Sequence, residues 1–202
     1  MNTTVIVLIV VVVVLLVALA GVGMMLARRR RSEQLQDRYG PEYQRTLAET
    51  GDRRAAETAL TEREQRHRSL DVRDLQAEER DRFAAEWTDI QRGFVDDPVQ
   101  AVHRADALVV AIMRVRGYPV DDFERRAEDI SVEHPHVVRH YREARAIHEA
   151  TESGRADIEQ QRRAVTSYRA LIEALLGGDD HRTNSHAVSE QRVDRPTEEH
   201  TR

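Results

Sequence analysis

The chain has no cysteine and no lysine, and aromatic residues fill only 4% of its 202 positions. Without cysteine there is no disulfide, no thiolate nucleophile and no thiolate metal site. All 31 basic residues other than histidine are arginine, which we read as genome composition rather than mechanism. Scarce aromatics and a polar remainder leave material for only a small core, of the kind made by helices packed along narrow stripes. No stretch alternates apolar and polar residues with a period of two, so no strand is predicted. A glycine-rich phosphate loop, a Gly-x-Ser-x-Gly elbow and a Ser/His/Asp grouping are all missing. The formal net charge of −5 argues against nucleic acid as the main partner. A slim bundle offers little room for a substrate cavity. The expectation is a non-enzyme with no catalytic residue and no cofactor.

What is present is unevenly spread. Residues 5–27, VIVLIVVVVVLLVALAGVGMMLA, form an uncharged run. As a helix it would extend about 34 Å, at about 1.5 Å per residue, enough for a ~30 Å hydrocarbon core. Arg28, Arg29, Arg30 and Arg31 follow it directly, while the leader MNTT carries no charged side chain. Positive charge is retained on the cytoplasmic side, so the predicted topology is N-terminus outside and C-terminal domain in the cytoplasm, at the cell membrane. The arginines would also attract anionic headgroups, by about 1 kcal/mol each near the surface. Ala18-Leu19-Ala20 before Gly21 has the form of a cleavage site. If residues 1–20 were a signal peptide, the rest would be extracytoplasmic. Against this, no arginine precedes the apolar run, and the positive block stands where it would stop transfer. Gly23 and Ala27 are a small-x-x-x-small pair that would allow a weak homodimer through the anchor.

Residues 28–70 read as an arginine patch and charged helical stalk, with Gly40-Pro41 and Thr50-Gly51 as punctuation. Tyr39, Tyr43 and Leu47 make a short stripe at spacing four, and Ala56 and Leu60 a thin apolar face beyond Asp52. Residues 71–177 read as a compact bundle of four to five short helices. Phe83, Trp87, Ile90 and Phe94 share one helical face. Asp97-Pro98 starts a second helix that Gly117 stops, Asp121 or Asp122 starts a third, Pro135 a fourth and Asp157 the last. The tail, 178–202, has almost nothing apolar and is expected to be disordered. The fold class is therefore all-α: transmembrane helix, stalk, bundle and tail.

At RGYPVDDFERRAEDISVEHPHVVRHYREA, residues 116–144, and RYGPEYQRTLAETGDRRAAE, residues 38–57, the chain resembles an uncharacterised family of single-pass membrane proteins of high-GC Gram-positive bacteria. That family carries an N-terminal anchor, an arginine patch, and the GPEY, GDRRAAE, RGYPV-DFE and HP-VV-HYR blocks. The resemblance spans roughly residues 28–176. It implies a membrane-anchored helical domain and no particular activity.

Histidines gather at His134, His136, His140 and His148. His136 and His140, four apart, are the best ligand pair if Pro135 starts a helix, with Glu133 or Glu143 as an oxygen donor. A certain third ligand is missing, and no bound metal is expected. Tyr118, Asp121 and Asp122 concentrate in one loop, either a tight turn or a recognition loop for a protein partner. Asp96/Asp97 and Asp121/Asp122 fall where caps are needed and are read as caps. The functional expectation is a membrane-tethered cytoplasmic interaction or scaffold protein whose partners are lipid and another protein. The alternative is a metal- or small-molecule-responsive module on the His134–His148 face.

Overall fold

The computed structural model describes residues 29–177 without a break, and residues 15, 16, 19 and 23–25 of the apolar run. Among these residues every regular element is helical and there is no strand. No helix of the described residues is long and apolar enough to cross a membrane. Most of the expected anchor, and the whole tail from residue 178, lie outside the described residues. The helices are α1 (29–39), α2 (Pro41–Thr50), α3 (Arg53–Arg68), α4 (Ala77–Gly93), α5 (Pro98–Arg116), α6 (Phe123–Glu133), α7 (Val138–Glu152) and α8 (Ile158–Leu175). By internal packing the chain divides into two units, Met1–Glu62 and Arg63–Arg202, and α3 runs through the division.

In the first unit, Leu35 and Tyr39 of α1, Tyr43 of α2 and Leu60 of α3 form a buried cluster, with Leu47 against it. The three side chains of the spacing-four stripe do gather, but not on one helical face: Gly40, at φ 47°, breaks the helix and puts Tyr39 on α1 and Tyr43 and Leu47 on α2. Pro41 follows at the first helical position, where a missing N–H costs nothing. Asp52 caps α3 by accepting from the Ala55 N–H at 2.8 Å. Glu57 of α3 draws the elements together: it accepts from Ser32 Oγ at 2.5 Å, Arg53 Nε at 3.1 Å and Tyr43 OH at 3.3 Å. Burial pushes its carboxyl pKa up, but these bonds outweigh burial and leave it below the usual range.

The second unit is the bundle α4–α8, joined by the last turns of α3. Its centre is α5, which packs on α4, α7 and α8, while α7 also meets α6 and α8. Position on three sides requires a broad apolar surface, and α5 buries Val102, Ala105, Leu108, Val109, Ile112 and Met113. Phe83, Trp87 and Ile90 of α4 are buried against the same core. Caps lie where side-chain chemistry puts them. Asp97 accepts from Gln100 N–H at 2.9 Å, and Asp122 from Arg125 N–H at 2.8 Å. Ile158, the first residue of α8, is 45% exposed and outside the core. One expectation changes: α7 starts at Val138, not Pro135. A residue before proline is disfavoured in the helical region, and His134 sits at φ −126°, ψ 60°. Residues 135–137 form a turn, with the Val137 and Val138 N–H groups donating to the His134 carbonyl at 3.1 and 3.3 Å.

Candidate functional site

The buried face of α7 is Val138, Tyr141, Ala144, His148 and Thr151. These steps of three and four place a histidine where the pattern calls for an apolar residue. On α5, His103 adjoins buried Val102 and lies at the edge of the apolar stripe, half-buried. Packing of α5 on α7 brings the two together. His103 Nδ1 lies 3.1 Å from His148 Nε2, with the rings edge-on at 83° and their centroids 4.8 Å apart. Glu152, one turn beyond His148, places Oε2 3.9 Å from His148 Nδ1. One nitrogen from each histidine and one oxygen of Glu152 all lie within 4.8 Å of one another.

A second layer of polar groups orders this one. Asp106, one turn from His103 on α5, accepts from Tyr168 OH of α8 at 2.9 Å, and Arg145 Nη1 approaches its other oxygen at 3.5 Å. Arg145 also donates through Nε to Glu149 at 3.0 Å. Burial is the leading influence on His148 and lowers its imidazole pKa. Asp106 and Glu152 oppose that, while Arg145 and His103 reinforce it. Burial thus favours the neutral ring, the form that has a lone pair to offer. Burial, then Asp106, pushes the Tyr168 phenol far up, so it remains a donor. Two neutral imidazoles at this separation can share one N–H···N bond, yet His148 Nδ1 is buried and makes no hydrogen bond.

No family model, curated protein or solved structure matches the chain. The chemistry of the site therefore rests on its own geometry.

A separate ionic cluster joins the end of α5 to α6. Arg116, with its side chain 8% exposed, donates to the Arg73 carbonyl at 3.2 Å and to Glu133 Oε2 at 3.0 Å. Tyr118 OH donates to the same oxygen at 2.6 Å, and His67 Nε2 lies 3.4 Å from Glu133 Oε1. Burial pushes the Glu133 carboxyl up, but Tyr118, Arg116 and His67 together bring it below its ordinary pKa. A cleft of about 240 Å³ borders this cluster, lined by Arg80, Arg116, Glu133, His134 and the end of α8. Its charged walls are engaged in pairing, with Arg80 Nε donating to the Leu176 carbonyl at 2.8 Å, so it reads as a structural seam. Nearby on α6, Asp129 is fully buried and neither carboxylate oxygen accepts a hydrogen bond; Arg125 Nε is 3.9 Å away.

The residues singled out in the sequence divide differently. His136 is exposed in the turn before α7, whereas His140 is half-buried on α7, so the two do not share a helical face. Of the loop trio, Tyr118 is 4% exposed and bonded to Glu133. Asp122 is the cap of α6, and Asp121 is exposed. The tyrosine of that loop belongs to the core, and its two aspartates lie at the surface. Arg29, Arg30 and Arg31 are exposed in α1; Arg28 and Ala27 lie outside the described residues. A Cβ placed on Gly23 would meet open space. His103 escaped sequence reasoning because its partner lies 45 positions away on another helix. The available signal was a histidine inside the apolar stripe of α7.

Proposed function

We propose that the chain is a non-enzymatic, membrane-tethered helical interaction protein. Residues 5–27 act as the anchor, Arg28 to Arg31 sit against anionic headgroups, and the α4–α8 bundle faces the cytoplasm. The observation that carries this reading is exposure. Leu15, Leu16, Leu19, Met24 and Met25 are all helical and between 57% and 67% exposed. Apolar side chains that the described residues leave uncovered need an apolar surrounding from elsewhere, and the run to which they belong has the length and charge flank of a span. The family resemblance at residues 38–57 and 116–144 points the same way. Residues 71–177 hold 22 acids against 16 arginines, which suits a basic protein partner better than nucleic acid. The test is alkaline washing of membranes from cells expressing the full chain, followed by intact mass measurement. The expected result is retention in the membrane with residues 1–20 still attached. Release into the wash, or a mass lacking those residues, rejects the tether.

A further inference from the structure

We propose that His103, His148 and Glu152 form a binding site for a divalent transition-metal ion of the zinc class, one ion per chain, with a fourth position left to water or an external ligand. The inference is independent of the membrane reading, because it uses only groups of the second unit.

Three observations carry it. The donor set comes first. Two imidazole nitrogens and one carboxylate oxygen suit zinc, cobalt, nickel or copper, and suit calcium or magnesium poorly, since those prefer oxygen alone. Geometry comes second. Zinc bonds of about 2.0–2.1 Å in a tetrahedron put ligand atoms about 3.4 Å apart. The histidine nitrogens are already at 3.1 Å, and every donor pair is within 4.8 Å. Closing the site requires the Glu152 carboxylate to move in by roughly 1 Å to reach bonding distance. Glu152 is the last residue of α7 and its side chain is 53% exposed, so that movement displaces no core residue. The third observation is the burial of His148, whose side chain is 8% exposed: the nitrogen it turns toward His103 is the ligand atom, and the packing of α7 on α5 holds the ring there.

The charges around the site permit a dication. Arg145 is repulsive, but it is engaged by Asp106 and Glu149. Glu152 and Asp106 together add two negative charges, against the one positive charge of Arg145. The ligands also come from two helices, so the ion would pin α5 to α7. His136 and His140 lack that geometry.

Titration of the purified full-length chain in detergent micelles with Co²⁺, followed by its visible ligand-field bands and by competition with Zn²⁺, tests the site. The expected result is saturation by one ion with the spectrum of a four-coordinate centre, and a higher melting temperature in its presence. His103→Ala and Glu152→Gln should each weaken binding by at least about tenfold, a loss seen even for groups that merely touch a metal ligand. Because Glu152 is largely exposed, its loss of affinity cannot be ascribed to misfolding. Replacing His136 and His140, or the tail histidines His181, His186 and His200, by Ala should leave the tight site intact. Absence of saturable binding overturns the proposal. So does binding that survives both His103→Ala and Glu152→Gln, or that disappears with the His136/His140 or tail replacements; a shared N–H···N bond would then account for the histidine contact.

Discussion

At the scale of single residues, the least comfortable group in the bundle is Asp129. It is fully buried, and no donor reaches either oxygen. Burial is the leading cause that raises its pKa, ahead of the opposing pull of Arg125, Arg66 and His67. A carboxyl with a folded pKa above its unfolded value of about 3.9 holds more protons in the native state than in the unfolded one. Its charge therefore costs stability above the folded pKa, and the cost disappears as pH falls through that value toward the unfolded one. Asp129→Asn removes the charge and keeps the shape. The variant should be more stable than the parent at pH 7, and urea unfolding should show the gap closing toward about pH 4. Equal stability at neutral pH would mean that Arg125 and Arg66 neutralise the buried charge. Trp87 is the opposite case, a large apolar group in its proper place at 7% exposure beside Phe83 and Ile90. Trp87→Ala should cost about 3–5 kcal/mol, read as a lower urea midpoint. The parent's Trp emission should be blue-shifted.

Helix ends show what can be predicted locally and what cannot. Asp157 accepts from the Gln160 N–H at 2.8 Å and Gln160 Oε1 accepts from the Asp157 N–H at 2.8 Å, a closed capping box on α8. Asp157→Ala should lower stability by about 1 kcal/mol, measured by urea titration. Gly117 ends α5 at φ 95°, and a Cβ there would run into the Asp71 carbonyl oxygen. Left-handed backbone alone costs a non-glycine residue about 1–2 kcal/mol, so Gly117→Ala should exceed the cap variant in the same assay. These ends were legible because cap chemistry acts over three or four residues: Asp97 before Pro98 and Gly117 behave as their neighbours predict. The stripe of α4, Phe83, Trp87 and Ile90, was legible because its spacing also lies within one helix. The start of α7 was not, because the Pro135 signal competes with the constraint that proline places on His134. The His103–His148 contact was not legible either. It depends on how α5 and α7 are rotated against each other, which no spacing within one helix determines.

On the scale of the whole molecule, the decisive asymmetry is between an uncharged run and the four arginines that close it. Each arginine near an anionic surface is worth about 1 kcal/mol, and cytoplasmic retention of positive charge sets orientation. In the topology proposed above, Arg28→Glu, Arg29→Glu, Arg30→Glu and Arg31→Glu together would turn a block that holds the C-terminal domain inside into one that favours the other side. The absence of cysteine makes this directly measurable, because one introduced thiol is the sole target for a membrane-impermeant maleimide. Ser153, exposed at the C-terminal end of α7, is a suitable reporter, and Asn2 samples the opposite side. In intact cells Asn2→Cys should label and Ser153→Cys should label only after permeabilisation. In the four-glutamate background, labelling of Ser153→Cys in intact cells should rise to a substantial fraction of the permeabilised signal. Labelling of Ser153→Cys in intact cells with the arginines in place would put the bundle outside the cell. Loss of the Asn2→Cys signal from the mature chain would identify cleavage after Ala20, and the protein partner proposed above would then have to be sought in that compartment.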